Sequence, residues 1–338
     1  MLFVPRNVIA NPSQDAIVPV YMQDWFTEIA ARGAKTRRVA VTENGKLLGD
    51  LTVSLERNGL GMKQAYNLPW ARLGGPNISK GIDQEKRARI TRQLIRQLPS
   101  NVSFFLKLTN ESDFKLFLEE GFKPYSENNY FIPPAALPTL HASFSKMTKR
   151  HIKQAQRDMV VSTVAPDAFI EIYAADLARR RRKPYAPLAI ARDLLAEGQR
   201  QGQARIFAAN RRDSGEIDAA IACLWDDARY YYWMTTRRLQ TSNHDKPHQG
   251  AVKLLLWSAI QDAAARGLTF DFDGAGLDLT PSECGKTRLY GGMGAQRCIR
   301  YAVTRETKVE RVLGRFRPLI KRAIRTTVGK LLTLRLNG

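Results

Sequence analysis

The stretch Arg-Val-Ala-Val-Thr-Glu-Asn-Gly-Lys-Leu-Leu-Gly-Asp-Leu-Thr-Val-Ser-Leu-Glu-Arg-Asn-Gly, residues 38–59, decides the fold class. Val39 and Val41 alternate with polar neighbours, the period of a half-buried strand. Asn44-Gly45 follows, and both residues tolerate the positive φ of a tight hairpin turn. Leu47, Leu51, Val53 and Leu55 mark the returning strand, and Asn58-Gly59 turns into a third strand that runs to Leu68. The period then changes. From Asp83 to Leu98 the apolar residues Ile90, Leu94, Ile95 and Leu98 share one helical face. Ser103 to Leu108 reads as a buried strand, Asp113 to Glu120 as a short helix stopped by Gly121, and Tyr130 to Pro133 as a closing strand.

The second half repeats this order. Ala204 to Ala209 is a strand, and Asp213-Ser214-Gly215-Glu216 is a turn. Ile217, Ala219, Ile221, Cys223 and Trp225 alternate as the next strand, and Asp226-Asp227 leads into a third, Tyr230 to Thr235. A helix is predicted over Gln249 to Ala265, capped at Gly267, and Leu268 to Asp273 is the buried strand after it. The separations between Gly45 and Gly215, and between Ser103 and Leu268, are nearly the same. The pattern predicts a duplicated α/β unit. Its meander supplies antiparallel strands and its strand–helix–strand step a parallel pair, so the sheets are mixed.

Length and composition agree with two units. A chain of 338 residues with 44% hydrophobic content can bury two cores. The N-terminal apolar run is too short for a signal peptide, and no run approaches membrane-spanning length, which predicts a cytoplasmic protein. Cys223, Cys284 and Cys298 are odd in number and lack metal-ligand spacing, so they read as reduced thiols and no metal is expected. The formal net charge of +21 directs attention to polyanions: RNA, an anionic membrane face or phosphorylated substrates.

Four segments carry a family likeness. Phe117-Leu118-Glu119-Glu120-Gly121-Phe122 looks like the helix-end Gly-Phe of the GNAT acetyltransferase superfamily. Pro69-Trp70-Ala71-Arg72-Leu73-Gly74-Gly75-Pro76 looks like the Arg-Gly-Pro turn of the Fem peptidyltransferases and their FemAB-like relatives. Ser145 to Ala155 is similar to their basic linker helix. Phe270-Asp271-Phe272-Asp273-Gly274, followed by Lys286 to Gly292, resembles their Asp-Phe-Gly strand end and basic-aromatic-Gly-Gly segment. Arg72 stands one place further from Gly-Pro, and Lys286 one place off, relative to that pattern.

The resemblance covers roughly residues 20 to 305. It implies two tandem GNAT-like domains, at 1–143 and 161–305, a linker helix at 144–160, and a basic segment at 306–338. It also implies transfer of an acyl or aminoacyl group from acyl-coenzyme A or aminoacyl-tRNA to an amine of a peptidoglycan or exopolysaccharide precursor.

That chemistry needs near-attack geometry, donors for an oxyanion and an acceptor for the amine proton. Lys286 and Arg288 are the candidate phosphate or carbonyl contacts, joined by Tyr290, and Asp271 and Asp273 are candidate proton acceptors or anchors for the next loop. Arg72, Gly74, Gly75 and Pro76 are read as acceptor-binding, with Tyr232 facing the pocket from its strand. His248, Gln249 and Gly250 precede a helix N-terminus, the place where the superfamily holds a pyrophosphate, although with a single glycine. The cleft is expected between Tyr230–Thr235 and Phe270–Asp273.

Two basic stretches remain. Arg179 to Lys183 is a run of five cations ending a helix, suited to its dipole or to the phosphates of tRNA or substrate. From Arg305 onward there are ten basic and two acidic residues, and Val309, Leu313, Phe316, Ile320, Ile324, Val328 and Leu331 recur at helical spacing. This predicts a basic amphipathic helix that lies on the inner membrane surface or packs on domain one. The alternative to an enzyme is a GNAT-fold protein without catalysis that binds RNA or an anionic membrane.

Overall fold

The computed structural model describes residues 18–59, 61–238, 248–274 and 281–311. The first lobe opens with helix α1 (Asp24–Ala31) and the meander β1 (Lys35–Glu43), β2 (Lys46–Arg57) and β3 (Lys63–Tyr66). A two-residue strand β4 (Asn77–Ile78), helix α2 (Gln84–Arg96), strand β5 (Ser103–Lys107), helix α3 (Glu111–Glu119) and strand β6 (Lys123–Ile132) complete it. The Asn44-Gly45 turn has φ of 51° and 75°, the left-handed pair a two-residue hairpin requires. Asp83 and Asn110 cap α2 and α3, accepting from the backbone N–H of Lys86 at 2.8 Å and of Asp113 at 2.7 Å.

Helices α4 (Leu137–Ser143) and α5 (Lys146–Asp158) join the lobes, and α5 is the expected basic linker helix, capped by Ser145. The second lobe runs β7 (Met159–Thr163), α6 (Pro166–Arg179), α7 (Leu188–Arg200), β8 (Ala204–Arg211), β9 (Ile217–Trp225), β10 (Arg229–Arg237), α8 (Ala251–Ala265), β11 (Thr269–Asp271), α9 (Pro281–Gly292) and β12 (Gln296–Arg305). In each lobe the strand pair around the main helix is parallel: β3 with β5 and β10 with β11.

The strands form one continuous mixed sheet in the order β1-β2-β3-β5-β12-β6-β11-β10-β9-β8-β7. The lobes are fused where β11 pairs antiparallel with β6. A division at 305 does not describe this arrangement. β12, assigned from sequence to the second unit, lies between β5 and β6 of the first. Its Cys298, Ala302 and Val303 are fully buried there. Residues 159 and 160, assigned to the linker, already belong to β7.

Three apolar clusters hold this sheet. One packs α5 and α8 on the second lobe, one packs α2 and α3 on the first, and the third gathers α1, α6 and α7 over the other face of β8–β10. Trp70 and Trp233 meet in that third cluster with ring centroids 5.8 Å apart, and the Trp233 indole donates to the Trp70 carbonyl at 2.9 Å. That contact brings the Arg72 loop of the first lobe against β10 of the second. The C-terminal basic helix expected beyond Arg311 lies outside the described residues, as does the apolar stripe from Leu313 on.

Candidate active site

β10 and β11 pair only over Arg229–Tyr231 and Thr269–Asp271. Beyond Asp271 the chain leaves β10: Phe272 donates its N–H to the Tyr130 carbonyl at 2.9 Å, and Asp273 turns with φ of 59°. Meanwhile Tyr232 to Arg237 stay paired with β9 on their other edge. The divergence opens a cleft of about 700 Å³ between Tyr232–Arg237 and Phe272–Gly274. It lies between the strand segments expected from sequence.

The floor is a buried ionic cluster. Asp271 is 1% exposed and receives the guanidinium groups of Arg229 at 2.8 Å and Arg300 at 2.9 Å. The Asn129 amide and the Asp273 N–H also donate to it, at 3.1 and 2.7 Å. Burial alone would raise its pKa, but Arg300 and Arg229 overcome that and hold it below the usual carboxylate range. Asp273 contacts Arg300 at 2.8 Å and Arg72 Nε at 3.0 Å. Its pKa is raised, by burial first and also by the neighbouring Asp271, against the pull of Arg300 and Arg72. Asp271 therefore anchors the strand end and does not face the cleft, so its reading as a proton acceptor is corrected to the loop-anchoring one. Asp273 lines the cleft.

Arg72 comes from the first lobe. Its Nη2 donates to the Trp233 carbonyl at 3.2 Å, its guanidinium lies 5.9 Å from the Tyr185 ring centre, and its side chain is 37% exposed at the cleft. Burial opposes its charge, but Asp273 keeps it firmly protonated. Gly74, Gly75 and Pro76 do not follow Arg72 into this cleft. Gly74 and Gly75 line a separate cleft of the first lobe, and Pro76 lines the groove beside it.

The segment after the strand is helix α9, and helical geometry sorts its residues. Lys286, Leu289 and Tyr290 share the face that lines the cleft. Arg288, about 200° around the helix from Lys286, is exposed and does not line it, which corrects its assignment to the site. Partial burial, and then Arg72, lower the pKa of Lys286. Tyr290 is 3% exposed and packs 4.4 Å from Phe272 and 6.5 Å from Tyr232. Tyr232 lines the cleft together with Trp233 of the same aromatic run, and burial pushes its phenol up to about 12.

His248, Gln249 and Gly250, read from the sequence as cofactor-binding, stand at the start of α8. His248 Nδ1 accepts from the Gly250 N–H at 3.0 Å, and a Cβ on Gly250 would stand 2.2 Å from the His151 carbonyl of α5. Gly250 thus lets α5 press against the start of α8. His248, Gln249 and Gly250 do not line the cleft, whereas Val252, the second residue of α8, does.

Residues not singled out individually from the sequence complete the cleft. Arg180, Arg182 and Arg237 line it with Arg72 and Lys286, giving five cations against two carboxylates, Asp176 and Asp273. Asp176 is held by Arg179 at 2.6 Å and Arg180 at 2.7 Å. Arg182, Arg237 and Lys286 have no ion-pair partner among the described residues. Arg300 carried a sequence signal: it alternates with Cys298 and Ala302 on a buried face, where a guanidinium needs carboxylates.

Comparison with known proteins agrees with this geometry. Residues 142–278 match the acetyltransferase (GNAT) domain model. The structure superimposes on FemX with a TM-score of 0.57 at 11% identity, covering 84% of this chain and 91% of FemX. The chain has the Fem-like GNAT fold. The C-terminal domain of an Agrobacterium fabrum protein named as a lysylphosphatidylglycerol synthetase matches with a TM-score of 0.53 at 11% identity, over 83% of this chain and 90% of that one. L-PGS from Bacillus licheniformis matches at 0.52 and 12% identity, over 80% of this chain and 84% of its own. No curated protein sequence matches the chain. Within this GNAT fold, no helix among the described residues is long and apolar enough to cross a membrane.

Proposed function

We propose that this chain is a GNAT-type N-acyltransferase. It moves an acyl or aminoacyl group from acyl-coenzyme A or aminoacyl-tRNA to an amine of a cell-envelope precursor. One observation carries the reading: the second-lobe strands part into a cleft of about 700 Å³ whose walls hold five cations. Both donors bring phosphates to such a wall. FemX and the Agrobacterium fabrum protein named as a lysylphosphatidylglycerol synthetase share the fold, which is consistent with aminoacyl transfer.

The residues suit the steps. The acceptor nitrogen attacks the acyl carbonyl carbon, forming C–N while the donor's C–S or C–O bond breaks. Arg72 faces the cleft and can donate to the developing oxyanion. Asp273, a carboxylate of raised pKa, can take the proton the nitrogen loses. Lys286, an ammonium of lowered pKa, can return a proton to the leaving sulfur or oxygen.

The test uses the full chain with radiolabelled acetyl-coenzyme A, longer acyl-coenzyme A or aminoacyl-tRNA. Acceptors are an amino sugar oligomer and a peptidoglycan precursor bearing a free amine. Label moving to an acceptor supports the proposal. Salt-sensitive RNA binding with no transfer from any donor would sink it in favour of a binding protein.

A further inference from the structure

Where α5 presses on the start of α8, two basic side chains touch. Lys253 Nζ on α8 lies 2.7 Å from His151 Nδ1 on α5. An ammonium has only donors, so a charged Lys253 meets the lone pair of a neutral imidazole there. His151 is 8% exposed and Lys253 is half-buried. Neither residue lines the basic cleft.

The surroundings of this pair are cationic. Arg237 from β10 and Arg150 from α5 act on Lys253, and Arg150 and His248 act on His151. Lys253 has no carboxylate partner among the described residues. Asp158, which contacts His248 at 3.4 Å, is held by Arg157 at 2.8 Å. Partial burial, then Arg237 and Arg150, lower the pKa of Lys253, and burial, then Lys253, lowers that of His151. Neighbouring cations and an adjacent base are two ways in which proteins turn an amine into a nucleophile, and this lysine has both.

We infer that Lys253 is an acylation site, with His151 as its proton acceptor and an acyl thioester as its reagent. The free amine attacks the thioester carbonyl carbon, C–N forms and C–S breaks. The nitrogen, made acidic by its new bond to carbon, gives one proton to His151 Nδ1, and the imidazole hands it to the departing thiolate. The product is a stable amide on the chain itself, distinct from transfer to an external acceptor. It replaces an ammonium by a neutral group beside Arg237, which lines the basic cleft, and so weakens the positive field at that rim.

The full chain is incubated with acetyl-coenzyme A and no acceptor, from neutral to alkaline pH, and each lysine is followed by peptide mass spectrometry. Lys35 and Lys63, exposed and without ion-pair partners among the described residues, are the internal references. At neutral pH Lys253 is expected to react at least about tenfold faster than either, within what a positioned base contributes. Its rate should also level off at a lower pH than theirs. His151→Gln should remove most of the advantage with unchanged circular dichroism. If that variant does not fold, the rates of the three lysines in the native chain decide the matter. Equal rates at Lys253, Lys35 and Lys63, or a folded His151→Gln variant that keeps the advantage, overturns the site. Because no acceptor is present, that failure would leave the acyltransferase reading standing. A reactive Lys253 in a chain that moves no acyl group to an acceptor would remove only that reading.

Discussion

The two lobes share a fold and part company at the same joint. In the second, β10 and β11 separate after three residue pairs, and a side chain from the other lobe, Arg72, reaches from the Trp233 carbonyl to the Asp273 carboxylate across the cleft that remains. In the first, β3 and β5 also pair over three residues, but Asn67 then spans the opening. Its side-chain amide donates to the Lys107 carbonyl at 3.1 Å and accepts the Lys107 N–H at 2.9 Å, and Gly74 bridges to Leu108 just beyond. One amide side chain imitates a strand residue and stitches shut the place where the other lobe is open. The charges follow: five cations against two carboxylates line the open cleft, and three carboxylates against one cation line the closed lobe's cleft. Duplication thus supplied two similar frames, and side chains at the strand ends gave them different roles.

The contrast breaks most severely at Asp271, where β11 is tied to both lobes through Arg229 on β10 and Arg300 on β12. Asp271→Asn leaves two buried guanidinium groups without their shared carboxylate, and should cost about 3–5 kcal/mol in urea unfolding. The sign of the pH effect follows from the lowered folded pKa. The stabilisation is present above the unfolded carboxylate pKa and is lost as pH falls through the folded one. Native stability should therefore drop on acidification more steeply than that of the variant, measured as urea midpoint against pH.

Lys286 and Arg288 sharpen the comparison within the open lobe, because one helix aims them differently. Lys286→Ala should lower kcat by about 10²–10⁴, the size of a positioned general acid's contribution. It should also abolish a fall in rate on the alkaline side, which in the native protein sets in below the ordinary lysine range. Arg288→Ala should leave kcat within about twofold, as expected of a surface change away from the cleft. Equal losses in both would mean that α9 does not present Lys286 to the reacting groups.

The smallest effect tests the stitch. Asn67→Ala removes both hydrogen bonds to Lys107 and should cost about 1–3 kcal/mol, since the Lys107 N–H loses its partner while its carbonyl keeps the Gly74 N–H. Amide exchange should then quicken at Lys107 and Leu108 while the second lobe keeps its protection. Unchanged exchange there would mean that the Gly74 bridge alone closes the first lobe.

Much of this frame could be read before any coordinates. The Asn44-Gly45 hairpin, helix α2 with its Ile90–Leu94–Ile95 face, and the β9 alternation all stand where the periodicity placed them. Lys286, Tyr290, Tyr232, Arg72 and Asp273 do meet at one cleft. Arg288 fell away because the segment was read without its helical phase. Asp271 did so because a carboxylate alternating along a strand looks the same whether it meets solvent or two arginines. His248 and Gly250 serve the start of α8 itself, as capping residues do.

What the amino-acid order alone determined is local: which segments are strands or helices, where turns fall, the duplicated order and the excess of positive charge. Neighbouring residues enforce these through backbone sterics and the 2- and 3.6-residue periods. The tertiary structure decided the rest. It returned β12 to the first lobe, closed one strand gap with Asn67 and left the other open, and separated the two charge clusters. Those outcomes depend on contacts between residues far apart in the chain, from 40 positions for Asn67 with Lys107 to 163 for Trp70 with Trp233 and more for Arg72 with Asp273. Such contacts form only where packing brings the partners together, and no local pattern carries their signature.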